Sequence, residues 1–183
     1  MTGRLFSILI IFIIVFSSYQ SQKVTEQRVD TAQSTQIAIG REPNYNYVIE
    51  VPQGWTTRDT TLNGVRFRFL LSPPSLTADR PMGNIIIASM EGRNIADFTT
   101  RNMAYLKSKL QGTVILERGN IESSSYNGQW FTYTKIQNGI VRDMINYIIP
   151  LNGYAYMITC GSNKGSIDKY RAIFDKIAKS FKG

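Results

Sequence analysis

The sequence predicts an α+β domain, a mainly antiparallel sheet of about six to seven strands packed with two principal helices. Three observations predict it. Runs of period-two apolar alternation recur from residue 45 to residue 160, Asn-Gly pairs separate several of these runs, and the chain closes on a strongly amphipathic helix.

The first element is a leader. Arg4 precedes an apolar-rich run, Leu5–Phe16, followed by the polar stretch Ser17–Gln22. One basic residue, a short apolar core and a polar tail match an export signal, and the run is short for a membrane span, which needs about 17–25 residues. The candidate cleavage points after Ser17, Ser18 and Ser21 each place a bulky residue (Val15, Phe16 or Tyr19) where a small one is preferred. Residues 1–21 are therefore read as a signal peptide or an uncleaved N-terminal anchor, with residues 5–16 the candidate membrane contact. No lipoprotein cysteine follows. Residues 22–36, rich in Gln, Thr and Ser, read as a flexible stem. Residues 37–183 form the expected single domain, with Ile37–Ile39 a candidate start of its first strand.

Tyr45, Tyr47, Ile49 and Val51 alternate with Asn46, Val48 and Glu50, which predicts a half-buried strand stopped by Pro52. Gln53-Gly54-Trp55 and a polar stretch lead to an Asn63-Gly64 turn. Val65–Leu71 alternates again, with Arg66 and Arg68 expected to face outward, and ends at Pro73-Pro74. Asn84–Ser89, centred on three consecutive isoleucines, reads as a well-buried strand. Asn94 then caps a helix that Asp97 reinforces in its first turn. Its apolar side (Ile95, Phe98, Met103, Tyr105, Leu106 and Leu110) is interrupted by Asn102 and Lys109, and Gly112 ends it.

Three strand candidates follow, Thr113–Glu122, Gln129–Gln137 and Ile140–Ile149, separated by Asn127-Gly128 and Asn138-Gly139, and Asn152-Gly153 joins the last to Tyr154–Cys160. Asn-Gly supplies the two positive-φ residues of a tight hairpin, so the segment predicts an antiparallel meander. Ser166 is the expected cap of Ile167–Phe181, whose Ile167, Tyr170, Ile173, Phe174, Ile177, Ala178 and Phe181 share one face while its charges lie outside it. Helices are expected to cover one face of the sheet.

These landmarks resemble the Mog1/PsbP-like fold, in particular bacterial exported relatives of the photosystem subunit PsbP. The resemblance rests on Tyr47-x-Ile49-x-Val51-Pro52-x-Gly54-Trp55, on Asn127-Gly128 before a long aromatic strand, on Tyr154-x-Tyr156-x-Ile158-x-Cys160, and on Ser180-Phe181 at the end of the last helix. It spans about residues 40–183 and implies a non-enzymatic binding or assembly role. The histidine that PsbP subunits use in ion or cofactor contacts has no counterpart here, so no residue role carries over.

Composition narrows the chemistry. The chain has no histidine and one cysteine, which removes Ser-His and Cys-His pairs, the usual zinc sets and any intrachain disulfide. No Gly-rich phosphate loop is present and no cofactor is expected. Cys160, inside a strand-like run, reads as a buried small hydrophobe rather than a nucleophile. Ser166-x-x-Lys169 fits the pattern of serine acylases, but the chain lacks their Lys-Thr-Gly and Ser166 has a structural role as a cap. Trp130, Phe131 and Tyr133, with the pairs Tyr45/Tyr47 and Tyr154/Tyr156, could form a stacking platform; core and cross-strand packing is the preferred reading.

The net charge is +8, or +7 without residues 1–22, whose one charged residue is Arg4. Its dispersal argues for a solvated surface and against nucleic acid. A basic surface for anionic partners would need Arg66, Arg68, Lys135 and Arg142 on one face. The expected function is a non-catalytic, exported binding or assembly module of the cell envelope, periplasmic, secreted or membrane-anchored, with a protein or lipid partner. The alternatives are a carboxylate-based hydrolase of an envelope glycan, which would need two carboxylates converging in a cleft, and the basic anionic-surface binder.

Overall fold

The computed structural model describes residues 44–76 and 78–183. The leader, the stem and Ile37–Ile39 lie outside the described residues.

Seven strands make one sheet: β1 (Thr56–Leu62), β2 (Val65–Leu71), β3 (Met82–Ser89), β4 (Val114–Glu122), β5 (Asn127–Gln137), β6 (Ile140–Leu151) and β7 (Tyr154–Asn163). Helix α1 (Ile95–Lys109) follows β3 and helix α2 (Ile167–Lys179) follows β7. The spatial order is β1-β2-β3-β7-β6-β5-β4 with antiparallel neighbours throughout. After β3 the chain crosses through α1 to the far edge, then meanders back until β7 meets β3. This is the predicted α+β architecture.

The two helices cover opposite faces, which corrects the expectation that they share one. Side chains alternate along a strand, so the faces separate by parity. On one face Leu70, Ile85, Ile145, Tyr147, Ile158 and Cys160 pack with Tyr170, Phe174 and Ile177 of α2. On the other, Phe67, Ile86, Phe131, Tyr133, Met144 and Met157 pack with Phe98 and Leu106 of α1. Strands β6 and β7 are buried on both sides, which explains their nearly unbroken apolar text.

Three Asn-Gly pairs form the tight turns expected of them: Asn63-Gly64, Asn138-Gly139 and Asn152-Gly153 all have positive φ at both residues. Asn127-Gly128 does not. It lies inside β5, where Gly128 pairs with Ile121 and an added Cβ would meet the Ile148 carbonyl oxygen at 2.6 Å. The turn falls one step earlier, where the Ser123 amide donates to the Tyr126 carbonyl at 3.0 Å. Here glycine answers a close approach rather than a turn.

The expected strand Tyr45–Val51 is extended but does not join the sheet. It makes one bridge, Val48 to Lys182, through amide bonds of 2.7 and 2.9 Å. Tyr45, Tyr47 and Ile49 point inward, as the alternation predicted, and Tyr47 stacks on Phe181 at 5.7 Å and meets Tyr156 edge-on at 5.6 Å. The sheet edge is instead the polar stretch Thr56–Leu62, which carries no apolar alternation because most of its side chains face solvent. Its β-branched threonines and the Asn63-Gly64 turn hold it on β2.

Both helix starts have a local cause. Asn94 Oδ1 accepts the Asp97 amide at 2.9 Å, the expected cap of α1. Asn102, the apparent flaw in the apolar side of α1, is buried and accepts from Asn146 Nδ2 on β6 at 3.3 Å. At α2, Ser166 makes no side-chain cap bond. Its hydroxyl donates to Asp79 Oδ1 at 2.9 Å, and Asp79 Oδ2 takes Tyr170 Oη at 2.8 Å and Lys169 Nζ at 2.5 Å. A carboxylate from a distant loop thus sits at the positive end of the helix. The helix stops at Lys179, yet Phe181 remains in the core.

Candidate functional site

The four basic residues expected to share a surface are divided between the two faces. Arg66 and Arg68 stand on the α2 side of β2, where Arg68 Nε and Nη2 donate to the two Asp59 oxygens at 2.8 and 3.0 Å and Arg66 Nη2 donates to the same carboxylate at 3.0 Å. The Arg68 hydrogen bonds above all, with those of Arg66, hold the Asp59 carboxyl down at about 2. Each guanidinium also lies over a ring, Arg66 over Tyr45 at 5.0 Å and Arg68 over Tyr47 at 4.9 Å. They roof the N-terminal segment instead of facing freely outward. Lys135 and Arg142 point to the α1 side, paired across β5 and β6, and are 3% and 7% exposed. The expected four-residue basic surface is not formed, because strand parity turns its halves away from each other.

The aromatic residues go mainly to the core. Phe131 and Tyr133 are fully buried, and Tyr126 Oη donates to the Ala178 carbonyl at 2.6 Å, pinning the end of α2. Trp130 lies flat on Gly119, where an added Cβ would meet its ring at 2.8 Å, and Arg171 of α2 stacks on it at 4.1 Å. Arg171 Nε donates to Asp175 at 3.0 Å, and Tyr147 Oη donates to the same oxygen at 2.5 Å. This chain of contacts locks α2 to β5 and β6.

The serine-acylase pattern is not realised at Ser166. Ser166 and Lys169 both bind Asp79, and that carboxylate raises the Lys169 pKa, the wrong direction for a base that would activate a serine. Asp79 itself is lowered to about 2 by Lys169 first, then Tyr170 and Ser166, whereas a glycosidase acid needs a raised carboxyl. Cys160 is fully buried and its thiol is pushed up by burial, as an inert core residue. No group of three or more metal-ligating side chains is placed to hold an ion, and no helix is long and apolar enough to cross a membrane, among the described residues.

What the sequence reading missed is an apolar strip at the β4 edge. Val114, Leu116 and Ile136 are 55%, 58% and 37% exposed. They lie together because Val114 pairs with Thr134, two residues before Ile136, and because Gly112 is packed against Ile136, where an added Cβ would fall 2.7 Å away. The register of β4 on β5 shifts between Ile115 and Arg118, a bulge steadied by the Glu117 amide donating to Thr132 Oγ1 at 3.2 Å. Helix α2 packs on β6 and β7 and stops short of this strip. The bulge also hid it: one extra residue breaks the alternation by which an exposed apolar face would be read.

Comparison with known proteins defines the fold class. The chain has the PsbP/Mog1-like fold, as its sequence landmarks implied. It is similar to the cyanobacterial PsbP protein CyanoP from Synechocystis sp. PCC 6803, at a TM-score of 0.57 and 15% identity over 82% of this chain and 97% of that one. It is also similar to LpqN, involved in cell envelope biogenesis of Mycobacterium tuberculosis (TM-score 0.57, 13% identity, 81% of this chain and 89% of that one). A third is PA94, a Pseudomonas aeruginosa protein of unknown function (TM-score 0.55, 12% identity, 69% and 96%). No protein-family model and no curated protein matches the sequence.

Proposed function

We propose that this protein is a non-catalytic accessory module of the cell envelope, exported by the leader at residues 1–21, which docks a protein partner on the β4 edge. The observation that carries the reading is the strip of Val114, Leu116 and Ile136, aliphatic side chains left open on an edge strand. Edge strands are ordinarily guarded, and an open apolar strip beside unpaired backbone groups suits a partner that adds both side-chain and main-chain contacts. Glu117, next to Leu116 at the bulge, puts a negative charge beside the strip, which favours a protein over an anionic lipid surface. The likeness to LpqN, involved in cell envelope biogenesis, supports the same reading.

The test is site-specific photocrosslinking in the native cell. A crosslinker at Leu116 is expected to capture one discrete partner band, and one at Thr57 on the opposite edge is not. The V114D/L116D variant should fold with an unchanged unfolding midpoint and lose the partner. Capture that is equal at Leu116 and Thr57, or that survives V114D/L116D, would overturn the docking site. A cytoplasmic location of the full chain would overturn the envelope role.

A further inference from the structure

A polar row crosses the apolar interface between α1 and the sheet. Asn84 on β3, Thr159 on β7 and Asn146 on β6 are register neighbours on three adjacent strands, and they are 2%, 1% and 2% exposed. The rows on either side carry Ile86, Met157 and Ile148, and Met82, Gly161 and Met144. Helix α1 answers the polar row with Asn102, which is also buried. The Thr159 hydroxyl donates to Asn146 Oδ1 at 3.3 Å, and Asn146 Nδ2 donates to Asn102 Oδ1 at 3.3 Å. Apolar contact is non-directional, so Phe98, Leu106 and Leu110 hold α1 on the sheet but tolerate small turns and slides of the helix. The amide pair is directional. Any such slide leaves Asn102, Asn146 and Thr159 buried with unmade bonds, which is the costly case.

The far end of α1 runs straight into the β4 edge. From Asn102 to Leu110 is about two turns, roughly 12 Å along the axis. Leu110 closes the helix by donating to the Leu106 carbonyl at 2.9 Å, and the Ile136 amide then donates to the Gln111 carbonyl at 2.8 Å. Thr134 Oγ1 donates to the Gly112 carbonyl at 3.3 Å, and Gly112, at φ 67°, is packed against Ile136. The piece of β4 that carries Val114 and Leu116 has two register pairs of its own, Val114 with Thr134 and Ile115 with Tyr133. The bulge separates it from the ladder that resumes at Arg118. So short a piece takes its place from the end of α1 as well as from β5.

We infer that Asn102, Asn146 and Thr159 are positioning residues for the β4 docking edge. Their hydrogen bonds select one setting of α1, and α1, through Gln111 and Gly112, fixes where Val114 and Leu116 are presented. The coupling runs through a contiguous set of contacts: polar row, rigid helix, loop, edge. Its consequence for partner binding rests on the docking reading above, whereas the control of the edge by the buried row does not.

The experiment compares the full chain with its N102L/N146L variant. Replacing both amides by apolar groups of similar shape removes the directional pair without stranding one partner, so the urea midpoint should be unchanged or higher. The amide NMR signals of residues 111–116 should nevertheless double or broaden, and photocrosslinking from Leu116 should fall several-fold. A single sharp set of signals for 111–116 with undiminished capture would overturn the inference. If no partner is captured from Leu116 in the unmodified protein either, the docking reading fails and the NMR signals alone decide the control of the edge. Because the double variant could fail to fold, native-state hydrogen exchange on the unmodified protein gives a second readout. The Leu110 and Ile136 amides should exchange through one shared opening with the same dependence on denaturant, and a shallower dependence at Ile136 would sink the coupling.

Discussion

Replacing Lys135 with methionine should stabilise the protein, by an amount that depends on pH in a defined way. Burial above all, helped by the Arg142 charge, brings Lys135 from 10.5 down to about 8. A difference of roughly 2.5 pH units, at 1.36 kcal/mol each, corresponds to about 3 kcal/mol against keeping this ammonium in the fold at neutral pH. Between pH 8 and 10.5 the unfolded chain holds the proton that the folded chain has released. Stability therefore rises with pH across that window, is fully recovered above 10.5, and is lost again as pH falls through 8. Methionine keeps most of the buried stem and carries no charge, so K135M should gain about 2 kcal/mol at pH 7 after allowance for imperfect packing. Urea unfolding of both proteins in phosphate-free buffer, at pH 7, 8, 9 and 10.5, measures the difference. Tyrosines such as Tyr47, pushed up to about 12 by burial, titrate alike in both and cancel. The advantage of K135M should shrink steadily above pH 8 and vanish near 10.5. A constant difference over that range, or a variant less stable at pH 7, would refute the reasoning.

Three further outcomes follow from the packing and the caps. Phe181→Ala removes a ring that is 3% exposed and touches Tyr47, Tyr126 and Tyr156 at 5.7, 6.0 and 4.8 Å, and should lower the unfolding free energy by about 3–5 kcal/mol in denaturant titrations. Asn94→Ala deletes the cap that accepts the Asp97 amide and should cost about 1 kcal/mol, with Asn94→Ser recovering most of it in the same assay. Asp79, held at about 2 by Lys169, Tyr170 and Ser166, contributes stability that is present above its unfolded value near 3.9 and disappears as pH falls through 2. Asp79→Asn should therefore weaken the protein at pH 7 and flatten its acid-unfolding profile between pH 4 and 2, measured by circular dichroism.

How much the sequence discloses depends on how local each cause is. The turns at Asn63-Gly64, Asn138-Gly139 and Asn152-Gly153 are set by two residues each, and so are readable. The period of α2 is equally plain, because one apolar face meets one sheet face. Asn127-Gly128 misleads because the same dipeptide serves a close approach to β6, a contact decided far away in the chain. Strand β1 escapes notice because an edge exposed to water leaves no hydrophobic pattern. Basic residues are visible as letters, but whether Lys135 and Arg142 face solvent is fixed by register and by which face α1 covers. Asp79 shows the same limit, since its carboxylate reaches α2 across about ninety positions of sequence.

The bridge between Val48 and Lys182 places the point where the chain enters the domain next to the point where it leaves. Around it, the Glu50 amide donates to Ser180 Oγ at 2.7 Å, Lys176 meets Glu50 at 2.5 Å, and Tyr156 Oη holds the Asn44 carbonyl at 2.9 Å. A pull arriving through the residues ahead of Asn44 therefore meets this knot before it meets the sheet. Load is shared among backbone bonds, an ion pair and stacked rings, so that force applied at this corner is spread before any strand of the sheet is peeled away.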